Sequence, residues 1–164
     1  MVSTCCKRLT AGLLILACGI ASAEVGADGA GAPTYVTWDQ MEPDKCAALW
    51  LIQRHIAPGA RFLFFPAGSD SPPGILFDTP EAEIRRTHHQ STFEVLMTMY
   101  GVVDPKVQYI GRLMHDIEIN IWRRKALAET RQLESELRSQ IQSLSSADAV
   151  AFCFNYFEQL SVLP

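Results

Sequence analysis

The side chains best suited to chemistry in this chain fall into three clusters. His115-Asp116-Ile117-Glu118 interrupts an otherwise apolar helical pattern. His115 and Glu118 stand at i and i+3 and share a helix face. A histidine and a carboxylate at that spacing can hold one metal ion together, as Glu-x-x-His pairs do in di-metal bundles. The same pair can instead do acid–base work, with Glu118 orienting the imidazole. A solvated face is the plain alternative, with Arg112 pairing with Asp116 four residues on.

The second cluster is His88-His89, just ahead of Ser91-Thr92-Phe93-Glu94. The latter is a capping box that opens a helix. A histidine there is open to a ligand, and the N–H groups of a helix start favour anions. Glu94 is a natural further ligand, although capping is enough to explain it. Adjacent histidines point apart, so only one of the two serves any site. The third cluster comes from one helix: Lys45, Cys46, Trp50 and Arg54. The last three follow i, i+4, i+8. Arg54 suits bidentate recognition of a tetrahedral oxyanion. The alternative is that Trp50 is core and Arg54 pairs with a carboxylate such as Asp78.

The elements that must position these groups follow from periodicity and capping. Thr34 to Trp38 reads as a strand, rich in β-branched and aromatic residues. Pro43 opens a helix that runs to about Ile56 and stops at Pro58-Gly59, with Leu49, Ile52 and Ile56 on its apolar face. Arg61 to Phe65 and Ile75 to Phe77 read as short strands around a turn-rich loop, Gly68 to Gly74. Glu83 to Thr87 is an edge strand or a polar loop. A helix from the capping box ends near Gly101. Asp104-Pro105 starts the next, whose buried stripe is Val107, Ile110, Met114, Ile117 and Ile121. Ala126 to Leu144 and about Asp148 to Leu160 complete a helical C-terminus. The fold class is α+β: a small sheet from the N-terminal half packed against four to five helices.

Lys7 and Arg8, the apolar run Leu9 to Ile20 and the small residues Ala21-Ser22-Ala23 have the layout of a cleaved secretory signal peptide. The run falls short of the roughly 20 residues a bilayer span needs. Ile15-Leu16-Ala17-Cys18 loosely resembles a lipobox, which makes lipid anchoring the lesser alternative. The expected organisation is a signal at 1–23, a Gly/Ala-rich leader at 24–33, a main domain at 34–122 and a helical extension at 123–164. The expected location is periplasmic or secreted, with no stable membrane span after cleavage.

Two of the 14 Lys and Arg residues and none of the 18 Asp and Glu precede Glu24. Cleavage therefore makes the charge more negative than the −4 of the whole chain. An acidic balance argues against nucleic acid as a partner. Of the five cysteines, only Cys46 and Cys153 lie beyond the signal. They allow one disulfide, but their apolar helical settings read more simply as buried thiols. The chain lacks CxxC, HExxH, GxSxG and a Gly-rich phosphate loop, so serine-hydrolase and nucleotide-binding roles gain no support.

The same residues carry a family resemblance. Lys45-Cys46-Ala47-Ala48-Leu49-Trp50-Leu51-Ile52-Gln53-Arg54-His55-Ile56 is similar to the K/R-x-A-x-x-WLI-x-R-x-I signature of the chromate-resistance family, the ChrB C-terminal domain. Ala60 to Pro66 with Phe77-Asp78, then Arg86-Thr87-His88 with Ser91 to Glu94, then Asp104-Pro105 with Ile110 to Asp116, resemble its later motifs in order. The resemblance spans about 34–122. Cys46, Ala48 and His89 depart from the usual pattern. The resemblance implies a part in bacterial chromate resistance, and the signal fits an exported branch. The matching polar positions are Lys45, Trp50, Arg54, Asp78, His88, Glu94, His115 and Asp116.

The functional expectation is a protein that binds a small inorganic ligand, with a protein partner unknown. In it His88, Glu94, His115, Asp116 and Glu118 hold a divalent metal (Zn, Fe or Mn). Lys45 and Arg54 receive an oxyanion such as chromate, with Trp50, Asp78 and Cys46 nearby. The alternatives are a metal-dependent enzyme, a thiol-dependent one using Cys46 as electron donor, and a non-catalytic helical interaction protein.

Overall fold

The computed structural model describes residues 31–120 and 124–161. The proposed signal, most of the leader and Ile121 lie outside these residues. Strand β1 (Thr34–Trp38) is central. It pairs in parallel with β2 (Arg61–Phe65), Thr34 opposite Arg61 through Trp38 opposite Phe65, and on its other side with β3 (Ile75–Leu76). Parallel neighbours need a crossover between them. Helix α1 (Pro43–Leu51) lies between β1 and β2 in the chain. The architecture is α+β, as the sequence indicates.

All nine residues of α1 are buried. The single apolar face expected from Leu49, Ile52 and Ile56 is therefore too narrow a description: α2, α3 and α5 pack around α1 and enclose it. Its end widens into a π-helical turn over Ile52–Ile56, with Ala57 N–H donating to the Ile52 carbonyl at 2.7 Å. Of the Glu83 to Thr87 segment, only Ile84 bridges to the sheet, at Phe77.

Helix α2 (Thr92–Tyr100) carries the capping box in full. The Ser91 hydroxyl accepts from Glu94 N–H at 3.2 Å, and Glu94 Oε2 accepts from Ser91 N–H at 2.8 Å. It ends at Gly101, whose φ of +63° suits a residue without Cβ. Helix α3 (Pro105–Glu118) is capped by Asp104 and buries Val107, Ile110, Met114 and Ile117, the expected stripe. It approaches α2 closely at Gly111, where a Cβ would stand 2.8 Å from Met97 Sδ.

Helix α4 (Thr130–Ile141) buries Leu133, Leu137 and Ile141. It starts later than Ala126, because the Ala126 and Leu127 N–H groups donate to Asp116 instead. Helix α5 (Ser146–Gln159) is capped by Ser145 and packs along α1.

Cys46 of α1 and Cys153 of α5 form a disulfide, their Cα atoms 5.1 Å apart. Both residues are fully buried. The burial is as expected, but the reading as free thiols is corrected. Two cysteines pair only when their elements bring them face to face, and the α1–α5 contact does so. Leu133, Leu137, Cys153 and Phe157 thus share one core with Trp50, Phe77 and Phe93.

Candidate functional site

A cleft of about 280 Å³ opens between the start of α1, the segment after β3 and the end of α3. Its lining is densely charged: Glu42, Asp44, Lys45, Asp78, Arg85, Arg86 and Glu118, with Thr79 among them. Such groups are costly to bury unless paired, so their partners define what the cleft can do.

Pro43 at the first helical position brings Asp44 and Lys45 into the first turn of α1, and both are buried. Asp44 reaches the N-terminus of α2, accepting from Thr92 N–H at 2.8 Å and Phe93 N–H at 3.2 Å. Burial pushes its carboxyl well above the usual range, with Asp78 and Glu118 adding to the effect and the two N–H groups opposing it. Lys45 Nζ donates to the carbonyls of Trp38 (3.0 Å) and Gln40 (2.6 Å) and lies 3.6 Å from Asp78 Oδ2. Burial lowers its pKa, while Asp78 works the other way.

Asp78 adopts φ +53°, the one non-glycine residue in the left-handed region among the described residues. That conformation turns its carboxylate inward, where Oδ1 accepts from the Thr92 hydroxyl at 2.8 Å. Burial raises its pKa and Lys45 holds it down. Glu118 closes the far wall. Its side chain is 8% exposed, and its Oε2 accepts from Arg86 Nη1 at 2.9 Å. Among the described residues, its Oε1 is buried without a hydrogen-bond partner, as is the Thr79 hydroxyl. Burial and nearby Glu42 raise the Glu118 pKa against Arg86 and Arg138. At the mouth, Arg86 is 57% exposed, and Arg85 Nη1 donates to the Pro80 and Ala82 carbonyls.

The expected metal set is not assembled. His88 is exposed in its loop. His115 is paired through Nδ1 with Glu94, 3.0 Å from Oε2, and Glu94 is also the capping carboxylate. Asp116 is 1% exposed and faces α4. It accepts from Ala126 N–H (2.8 Å), Leu127 N–H (3.1 Å) and the Thr130 hydroxyl (2.7 Å), fastening α3 to the start of α4. Among the described residues, no group of three or more His, Cys, Asp or Glu side chains is placed to hold a metal ion. Of the expected ligands, the structure brings Glu94 and His115 together.

Nor do Lys45 and Arg54 converge. Lys45 lines the cleft, whereas Arg54 is exposed and pairs with Glu158 at 3.5 Å. Glu158 also accepts from Trp50 Nε1 at 3.0 Å, and Trp50 is core. The partner of Asp78 is Lys45, not Arg54. The residues that sequence reasoning passed over are Asp44, Thr79 and the Arg85-Arg86 pair. Asp44 has the sequence signal of an ordinary first-turn acid, and only tertiary packing gives it α2 to cap.

The family model for the ChrB C-terminal domain matches residues 35–163. The chain belongs to this family. The match bears out the resemblance to the chromate-resistance family and continues through α4 and α5. Protein ChrB of Cupriavidus metallidurans is 27% identical over 118 residues, which is 71% of this chain and 36% of that protein. The chain thus spans little more than a third of that ChrB protein's length. No solved structure matches. The whole charged cleft, from Trp38 to Glu118, falls inside the ChrB match.

Proposed function

We propose that this ChrB-family chain acts in chromate resistance by binding a tetrahedral oxyanion, chromate foremost, at the arginine-lined mouth of the cleft. The observation that carries this reading is Arg86. Its side chain is more than half exposed at the mouth, and only its Nη1 is hydrogen-bonded among the described residues. The remaining guanidinium N–H groups are free to fork onto an oxyanion. The inner charges already satisfy one another: Lys45 with two carbonyls and Asp78, and Asp44 with the start of α2. They form a rigid floor rather than a competing site.

Export through the N-terminal signal places such binding in the periplasm, where it intercepts chromate before uptake. A thiol-dependent reaction gains nothing from Cys46, which is held in the disulfide. The test pairs calorimetric titration with chromate and growth of a chromate-sensitive host. Arg86→Met, at an exposed position, is expected to leave the fold intact. It should weaken chromate binding about tenfold or more, the worth of a charge-assisted hydrogen bond, and lower resistance in parallel. Unchanged affinity in this variant overturns the reading.

A further inference from the structure

Two residues that line the cleft carry buried polar atoms with no hydrogen-bond partner among the described residues. One is an acceptor, Glu118 Oε1, and the other is the hydroxyl of Thr79. Buried polar groups almost always find partners, because leaving one unmet is costly. Among the described residues, no donor that lines the cleft makes a hydrogen bond to Oε1. Lys45 Nζ is engaged with Trp38, Gln40 and Asp78. Arg85 Nη1 is engaged with Pro80 and Ala82, and Arg86 Nη1 already holds the other oxygen of the same carboxylate. Glu42 and Asp78, the acidic groups nearest in charge to Glu118, bring only acceptors when ionised. A ligand entering the cleft can bring the missing donor. Arg86 is the residue hydrogen-bonded to this carboxylate, through the other oxygen, and it is more than half exposed at the mouth of the cleft.

We infer that Glu118 makes the site selective for a protonated tetrahedral oxyanion, such as hydrogen chromate or hydrogen phosphate, over a fully deprotonated one such as sulfate. This rests on the oxyanion reading above. In the bound state the ligand's O–H donates to Glu118 Oε1, Thr79 donates its hydroxyl to a second ligand oxygen, and Arg86 neutralises the remaining charge. Sulfate has the same shape but offers only lone pairs, which a buried carboxylate repels. A site built around one hydrogen bond rejects a ligand that lacks it far more strongly than shape alone allows.

The test is calorimetric titration of the folded, disulfide-bonded protein with chromate, phosphate and sulfate near neutral pH. The wild-type protein is expected to bind chromate and phosphate, and to bind sulfate about 100-fold or more weakly. Glu118→Gln, which presents an amide N–H, should gain sulfate and bring the three affinities close together. Wild-type protein that binds sulfate as tightly as phosphate overturns the inference, and this comparison needs no variant to fold. A folded Glu118→Gln protein with unaltered selectivity overturns it as well. Failure of all three anions to bind the wild-type protein defeats the oxyanion reading itself. Binding without discrimination defeats only the role of Glu118.

Discussion

Asp116 shows how one residue type supports two opposite readings until its surroundings are known. Beside His115 it looks like a ligand, yet it is buried and accepts from two backbone N–H groups, a threonine hydroxyl and Asn120. Burial by itself raises its pKa, but these donors outweigh burial and hold the carboxyl below the usual range. A depressed folded-state pKa gives stability that is complete above the unfolded value, ~pH 4, and that fades as pH falls through the lower folded value. Asp116→Ala is therefore expected to cost about 2–4 kcal/mol at neutral pH, with the deficit shrinking in acid. Denaturant unfolding of both proteins at neutral pH and near pH ~3 checks the size and the sign. At this scale residue types were legible, as were the capping box and the buried stripe of α3. Partners were not, because Asp116, Glu118 and Arg86 meet groups up to 32 residues away.

Between elements, Asp44 ties α1 to α2. Two N–H groups at the start of α2 have no partner within their own helix, and the α1 carboxylate supplies one. Asp44→Ala leaves both donors buried and unmet, at a cost of about 2–4 kcal/mol. Asp44→Asn keeps an acceptor oxygen in place and should cost distinctly less. Thermal unfolding of the two variants side by side separates capping from charge. Equal losses would mean that the negative charge itself matters. The same tie aligns Thr92 with Asp78, so the loosened variant is also expected to bind the cleft ligand less well.

Over the whole molecule, the disulfide joins residues 107 apart in sequence. A covalent loop of that length restricts the unfolded chain by about 4–5 kcal/mol in the loop-entropy account. Cys46→Ala/Cys153→Ala is expected to lower stability by up to that amount and to be insensitive to reductant, whereas reductant should bring the wild type down towards the variant. A variant as stable as the oxidised wild type would show that α5 is held by Trp50 and Phe157 packing alone. This bond fastens α5 to α1, the helix whose first turn carries Asp44 and Lys45, and the ChrB match reaches residue 163.

What the sequence by itself determined is whatever depends on near neighbours. Pro43 and Asp104-Pro105 start helices, Gly101 ends one, RFLFF is a strand, and four ordered motifs mark the family. What only the tertiary structure decided depends on approach across the chain: the Cys46–Cys153 bond, the pairing of His115 with Glu94 while Asp116 turns to the start of α4, and the gathering of Lys45, Asp78, Arg86 and Glu118 around one cleft. Periodicity reports which face of a helix is apolar, but not which distant element will cover it. The direction in which a charged side chain finds its partner is set by that covering element.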